Sequence, residues 1–377
     1  VATRAAGGRR HGTGGCRSGG ARVSAPYRHA LVIGKFYPLH AGHGHLIRTA
    51  ERSSARVTVE VIGSSVESIP VEVRAQWVAE EHPRVRVVSK LDDTPIDFES
   101  STAWDAHTAI IAGLLDAPVD AVFTSDEYGE ELARRLGAAW VQVDPQRRLN
   151  PVSGTAVRGD PAGQWGELAP AVRASLAARV VVLGAESTGS TTLAEALAAE
   201  LGTLWVPEYG REHSLTRDGG LIAPWRTDEF DLIADRQMAL ERDALRRVPA
   251  PVLVCDTDVL ATALWHERYV GVDAPRLRER AAAHAPDLYL LTGDEIPFVQ
   301  DGMRDGEHIR HAMQDRFRET LAGQDTPWAE VRGTVAERVA ASVPLIRDVV
   351  ARRLAFARPL GDRPHEEQRA LARQTGR

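Results

Sequence analysis

Residues 34–43 read Gly34-Lys35-Phe36-Tyr37-Pro38-Leu39-His40-Ala41-Gly42-His43. They follow a β-rich run, HALVIG at 29–34, and lead into a helical stretch at 43–52. Gly34 lets the backbone leave a strand without a Cβ clash. Pro38 sets a rigid bend. His40 and His43, three apart, then reach the start of a helix, where unpaired backbone N–H groups already favour anions. Two imidazoles, a helix N-terminus and the point charge of Lys35 make a compact phosphate clamp.

Outward from this turn the chain alternates. Further β-rich runs lie at 56–63, 85–90, 120–124 and 139–144, with a helical stretch at 129–136. A second series begins with RVVVLG at 179–184 and continues at 204–206, 251–256 and 287–292. Thr227 is placed as the N-cap of a helix reaching about residue 247, which Pro249 ends. Strands alternating with helices predict parallel sheets covered on both faces. The expected architecture is two three-layer α/β domains, at 29–168 and 169–357, joined by an Ala-rich stretch at 168–178. Residues 1–28 are Gly-, Ala- and Arg-rich without hydrophobic period and are expected to be a disordered basic tail. Residues 358–377 are polar and expected to fray.

Composition bounds the function. The chain has 377 residues, 43% hydrophobic and 26% charged, as in ordinary globular proteins. No apolar run approaches about 18 residues, so no membrane-spanning helix is expected. Two cysteines, Cys16 and Cys255, make neither a disulfide scaffold nor a four-cysteine zinc site. A reduced, cytoplasmic protein is expected. The net charge is −6, and it falls to −12 without residues 1–28, which hold six arginines and no acid. So acidic a body argues against general nucleic-acid binding. The chain carries 44 arginines but only two lysines, Lys35 and Lys90. High-GC codon usage accounts for this bias, and it makes lysine-dependent motifs a sharp test.

The second series opens on such a motif. Residues 184–192 read Gly184-Ala185-Glu186-Ser187-Thr188-Gly189-Ser190-Thr191-Thr192. This matches the phosphate-binding loop G-x-x-x-x-G-K-[ST] at Gly184, Gly189 and Thr191, but Ser190 stands where lysine belongs. Thr191 and Asp256, the latter ending a hydrophobic strand, are the expected Mg²⁺ residues. Asp256 is also a candidate partner of a substrate hydroxyl, and Asp258 of a ribose.

Residues 34–43 resemble the HxGH signature of the nucleotidyltransferases. Pro151-Val152-Ser153-Gly154-Thr155-Ala156-Val157-Arg158 resembles the second motif of that superfamily in an SGTxxR form. Residues 122–129 and 143–147 are similar to segments of NadR-type nicotinamide mononucleotide (NMN) adenylyltransferases, and residues 205–212 and 296–306 to their ribosylnicotinamide kinase half. The resemblance spans roughly 29–357. It implies adenylyl transfer from ATP to NMN, giving NAD and pyrophosphate, and phosphorylation of ribosylnicotinamide to NMN. Both reactions use ATP with Mg²⁺.

The resemblance also implies site residues. His40, His43, Lys35 and Arg158 would be catalytic in the first domain, with Gly34, Phe36, Ser153 and Thr155 at its ATP. Arg74 and Trp104 would hold NMN, Trp104 by stacking on the cationic ring. In the second domain Asp256 would be catalytic. Gly184, Gly189, Ser190, Thr191, Thr192, Arg304 and Arg310 would meet ATP, the two arginines replacing the missing lysine. Glu208, Tyr209, Arg211 and Asp258 would bind the acceptor. Two alternatives stay open: a degenerate second domain that only binds or senses nucleotide, and a DNA-binding regulator of NAD genes. Some members carry a helix-turn-helix before the first domain; only about 28 residues precede it here, so neither that function nor nucleic-acid binding is expected. A homo-oligomer is left open.

Overall fold

The computed structural model describes residues 25–300 and 307–374. Cys16, Arg304 and most of the expected N-terminal tail lie outside the described residues. The first domain runs β1 (Tyr27–Gly34), α1 (Ala41–Ser53), β2 (Ser54–Gly63), α2 (Val71–Glu81), β3 (Arg86–Leu91), α3 (Ser101–Leu114), β4 (Ala121–Thr124), α4 (Tyr128–Leu136), β5 (Ala139–Gln142) and α5 (Gly154–Gly159). Helix α6 (Pro170–Leu176) occupies the Ala-rich joint.

The second domain runs β6 (Ala178–Leu183), α7 (Ser190–Leu201), β7 (Trp205–Val206), α8 (Tyr209–Thr216), α9 (Thr227–Leu245), β8 (Val252–Asp256), α10 (Val259–Val270), α11 (Pro275–Ala283), β9 (Leu288–Thr292), α12 (Glu307–Ala322), β10 (Trp328–Val331) and α13 (Val335–Arg353). A last helix, α14 (His365–Gln374), follows.

Both sheets are parallel and five-stranded, ordered β3-β2-β1-β4-β5 and β10-β9-β6-β8-β7. In each, the strand that feeds the glycine-containing turn is central. Strand order reverses beside it, which is where open α/β sheets bind ligands, at the carboxyl ends. Strand β6 is buried at every position, which is why it reads as an apolar run broken only by Arg179. The domains share one apolar core. Trp165 donates its indole N–H to the Val248 carbonyl across the joint at 3.0 Å, and Glu81 accepts from the Ala171 amide at 2.7 Å.

Three expectations change. Strand β1 begins at Tyr27, because Tyr27 already pairs with Ser54. Arg226, not Thr227, occupies the N-cap of α9; the Thr227 hydroxyl instead meets His266 Nε2 at 3.0 Å. Residues 358–374 of the C-terminal segment do not fray. They cross back to the first domain, where Leu360 and Gln368 are buried and Gln368 Oε1 accepts from the Ile96 amide at 2.8 Å.

Glu60 is an anomaly inside the first sheet. It pairs in register with Ile33 on β1, whose face packs against α3, and neither of its carboxyl oxygens has a hydrogen-bond partner. Burial pushes its carboxyl up to about 8, against a weaker opposing pull from Arg86. The folded protein thus holds a proton there that the unfolded chain releases near its ordinary 4.5. Stability from this residue falls as pH rises from about 4.5 to 8. Glu60→Gln, a permanent stand-in for the protonated acid, is expected to match wild type near pH 4.5 and exceed it by up to about 5 kcal/mol above pH 8. Urea unfolding at the two pH values checks this; an equal effect at both would show an ionised, partnered Glu60.

Candidate active sites

The first site forms where β1 ends. Phe36 turns the chain at φ 46°, and its ring lies 3.3 Å from where a Gly34 Cβ would be, a tight approach that a glycine at the strand exit relieves. His40 stands at the N-cap position of α1. The His40 and His43 rings stack, with centroids 3.7 Å apart and planes 24° from parallel. Gly42 permits this, because a Cβ there would lie 3.2 Å from the His40 ring. Phe36 backs His43 edge-on at 4.9 Å. Nδ1 of each histidine is buried without a hydrogen-bond partner.

Charge around the pair is positive. Burial, then the Arg147 and Arg158 guanidinia, lower His40 to about 4. Burial, then His40 and Arg147, push His43 well below its usual range. Two neutral imidazoles, each with an unpartnered Nδ1, in a cationic surround suit an incoming polyanion. Arg147 is a residue the sequence reading quoted within a segment but did not single out. Asp144, at φ 46°, accepts from the Arg148, Leu149 and Asn150 amides and so builds the loop that presents it.

Ser153 caps α5 as expected, accepting from the Ala156 amide at 3.1 Å. The Thr155 hydroxyl does not cap; it accepts from Arg158 Nη2 at 3.2 Å. Arg158 also donates to the Tyr37 carbonyl at 2.9 Å and to Asp362 at 2.8 Å. The C-terminal segment thus reaches the rim of this site. Ala357 there accepts from the Tyr37 hydroxyl at 3.1 Å.

Lys35 and Arg74 share Glu67, at 3.0 and 2.7 Å. Lys35 remains one-third exposed. Arg74, expected at the substrate, is wholly buried. It donates to the Lys35 carbonyl at 3.0 Å and braces the motif turn from below, as buried charges must be paired to be tolerated. Trp104 donates its indole N–H to the Phe98 carbonyl at 3.0 Å. Phe98, mostly exposed, faces Trp104 at 5.9 Å and Tyr128 at 6.4 Å. Together they make an aromatic slot beside the sheet end, of which the sequence reading found only Trp104.

The second site is a cavity of about 620 Å³ whose wall includes Gly184, Gly189 and Thr192. Gly184 is obligatory: a Cβ would lie 2.2 Å from the hydroxyls of Thr188 and Thr292. Ser187 and Gly189 adopt φ 60° and 84°. Thr191 Oγ1 donates to Asp256 at 2.5 Å, and Ser190 lines the same cavity beside them. A hydroxyl and a carboxylate this close are hard oxygen donors of the kind Mg²⁺ takes alongside nucleotide phosphates.

Glu208 lines the same cavity. Burial, then the Asp256 and Glu186 carboxylates, raise it to about 7, opposed by Arg211. Opposite stands an aromatic wall missing from the sequence reading. The Trp225 and Tyr269 rings stack at 5.5 Å, and those of Trp265 and Tyr269 at 6.1 Å. Tyr269 donates to Glu186 of the loop at 3.3 Å.

Three expected residues do not line this cavity. Asp258 is buried, accepting from the Leu260 and Ala261 amides and the Tyr289 hydroxyl; it caps α10. Arg310 is buried and donates to the Ile296 carbonyl at 2.7 Å. The Tyr209 ring packs on the core, and its amide donates to Gln237.

Two phosphate-suited sites on parallel α/β domains define a nucleotide-utilising protein. Residues 179–338 match the family model described as an AAA domain. The chain is similar to NadR proteins over most of its length. It is 27% identical over 296 residues to the "Trifunctional NAD biosynthesis/regulator protein NadR" of Escherichia coli K12, covering 73% of this chain and 71% of that protein. To the protein of the same name from Salmonella typhimurium LT2 it is 26% identical over 326 residues, covering 80% and 78%. In fold it resembles the crystal structure of a NadR protein in complex with NR, with TM-score 0.63 and 20% identity, covering 88% of this chain and 97% of that one. A NadR protein with NAD and AMP-PNP gives TM-score 0.58 at 21% identity, covering 87% and 96%. Among the described residues no helix is long and apolar enough to cross a membrane.

Proposed function

We propose that this chain makes NAD from ribosylnicotinamide in two steps, one per domain. The observation that carries the reading is the stacked His40–His43 pair with its two orphan ring nitrogens. The names of its relatives, NAD biosynthesis/regulator proteins, support it. In the first site an NMN phosphate oxygen attacks the α-phosphorus of ATP in line. The α–β bridge breaks, pyrophosphate leaves, and no covalent enzyme intermediate forms. The imidazoles and Arg158 bear the charge that shifts onto pyrophosphate, and the Phe98–Trp104–Tyr128 slot takes the nicotinamide ring. Catalysis is positioning and charge neutralisation.

In the second site the aromatic wall holds ribosylnicotinamide. Its 5′-hydroxyl loses a proton to Glu208 as the oxygen bonds to the γ-phosphorus and ADP departs. A carboxylate near pKa 7 is well matched to that task. Thr191 and Asp256 would hold Mg²⁺, which neutralises phosphate charge.

A second reading, a second domain that binds nucleotide without turnover, is favoured by Ser190 in the lysine position. The full chain decides. With MgATP, NMN is expected to give NAD and pyrophosphate, and ribosylnicotinamide to give NMN and ADP. No NAD from NMN refutes the first assignment; ATP binding without nucleoside phosphorylation establishes the second reading.

A further inference from the structure

The second site poses a charge problem. A phosphate-binding loop ordinarily carries a lysine whose ammonium reaches the β- and γ-phosphates. Here both lysines of the chain are in the first domain. Lys35 is at the first site, paired with Glu67, and Lys90 is exposed on β3. Ser190 lines the cavity but carries no charge. Any replacement cation is therefore an arginine.

Geometry separates the arginines. Arg310 is tied to the Ile296 carbonyl. Arg338 is buried behind the loop, donating to the Thr188 and Gly293 carbonyls and to Glu295; it braces the loop rather than facing its cavity. Among the described residues the cations lining the cavity are Arg211 and Arg268. Arg268 lies over the Tyr269 ring at 5.7 Å, on the aromatic wall. Arg211 is in the first turn of α8, three residues beyond Glu208.

We propose that Arg211 is the catalytic cation of the second site, reaching the transferring phosphate of ATP from α8 in place of the absent loop lysine. The inference rests on the kinase reading above. Its guanidinium lines the same cavity as both acids at the point of transfer, Glu208 and Asp256, and it opposes the rise of the Glu208 carboxyl. A planar fork matches two non-bridging phosphate oxygens. The arginine makes and breaks no bond. It offsets charge as the acceptor oxygen joins phosphorus, the β–γ bridge breaks toward ADP, and the proton passes to Glu208.

The test uses the full chain with Arg211→Ala, Arg211→Lys, Ser190→Lys and the double variant Ser190→Lys/Arg211→Ala. Nucleoside phosphorylation is read as kcat and KM, with NAD formation from NMN as the control for folding. Arg211→Ala is expected to lower kcat about ten- to a hundredfold, toward the loss of one preorganised donor. Arg211→Lys keeps part of the rate. Adding Ser190→Lys to Arg211→Ala restores the rate at least tenfold, which a merely structural role would not produce. A rise in nucleoside KM at unchanged kcat would assign Arg211 to the acceptor and overturn the proposal. So would failure of the rescue, or loss of kcat in Arg304→Ala while Arg211→Ala is spared. If the wild type phosphorylates no nucleoside, the kinase reading fails separately. Arg211 is then read by MgATP calorimetry: about tenfold weaker binding in Arg211→Ala, restored by Ser190→Lys, upholds its phosphate contact, and unchanged affinity overturns it.

Discussion

Replacing His43 with alanine is expected to lower the kcat of NAD formation at least a hundredfold while nucleoside phosphorylation by the second domain continues at its wild-type rate. His43 is the inner member of the stacked pair, held between His40 and Phe36. Its orphan Nδ1 has nothing in the protein to bond, so a group brought by the ligand is the natural partner. Preorganised donors aimed at developing charge are each worth roughly 10²–10³ in rate. The loss should appear in kcat, because charge on the departing pyrophosphate grows only in the transition state. Second-domain activity guards against misreading a folding defect, since the two domains share a core. Near-wild-type NAD synthesis at saturating ATP and NMN would remove the imidazole pair from the chemistry.

The features legible in the sequence were those that constrain the backbone within about ten residues. Gly34, Gly42 and the histidine spacing specify the first turn because any side chain at either glycine would meet the Phe36 or His40 ring. The second turn is specified by Gly184, where a Cβ would strike Thr188 and Thr292, and by Gly189, at φ 84°. What periodicity could not assign was the destination of charged side chains. Arg74, Arg310 and Asp258 look like ligand residues in a sequence, but Glu67, the Ile296 carbonyl and the Tyr289 hydroxyl claim them. Such partners are set only by tertiary packing. The aromatic wall was hidden for the same reason: Trp225 precedes α9 and Tyr269 ends α10, 44 residues apart, and only the fold stacks them. The C-terminal segment is polar enough to read as a frayed tail. It docks through a few positions, Leu360, Gln368 and Ala372, too sparse for a hydrophobic pattern to reveal.

Glu208→Gln tests the chemistry of the second site most severely, with an expected fall in kcat of about a thousandfold, within the 10²–10⁴ range of a positioned general base. Glutamine keeps the shape of the side chain and its reach into the cavity but accepts no proton. The wild type should show its signature in pH. With burial and the neighbouring acids holding the carboxyl at about 7, the base is the ionised form, so kcat/KM should rise as pH climbs through about 7 and level off above it. The variant should lack that rise. A Glu208 that only grips the acceptor would behave differently: Gln would raise the nucleoside KM, leave kcat within a few-fold, and preserve the ascending limb. The same profile bears on Asp256. Its carboxylate already receives the Thr191 hydroxyl, and a group so engaged is better placed to hold the loop and a metal ion than to collect a proton. If the ascending limb survives in Glu208→Gln and disappears in Asp256→Asn, the roles of the two acids are exchanged.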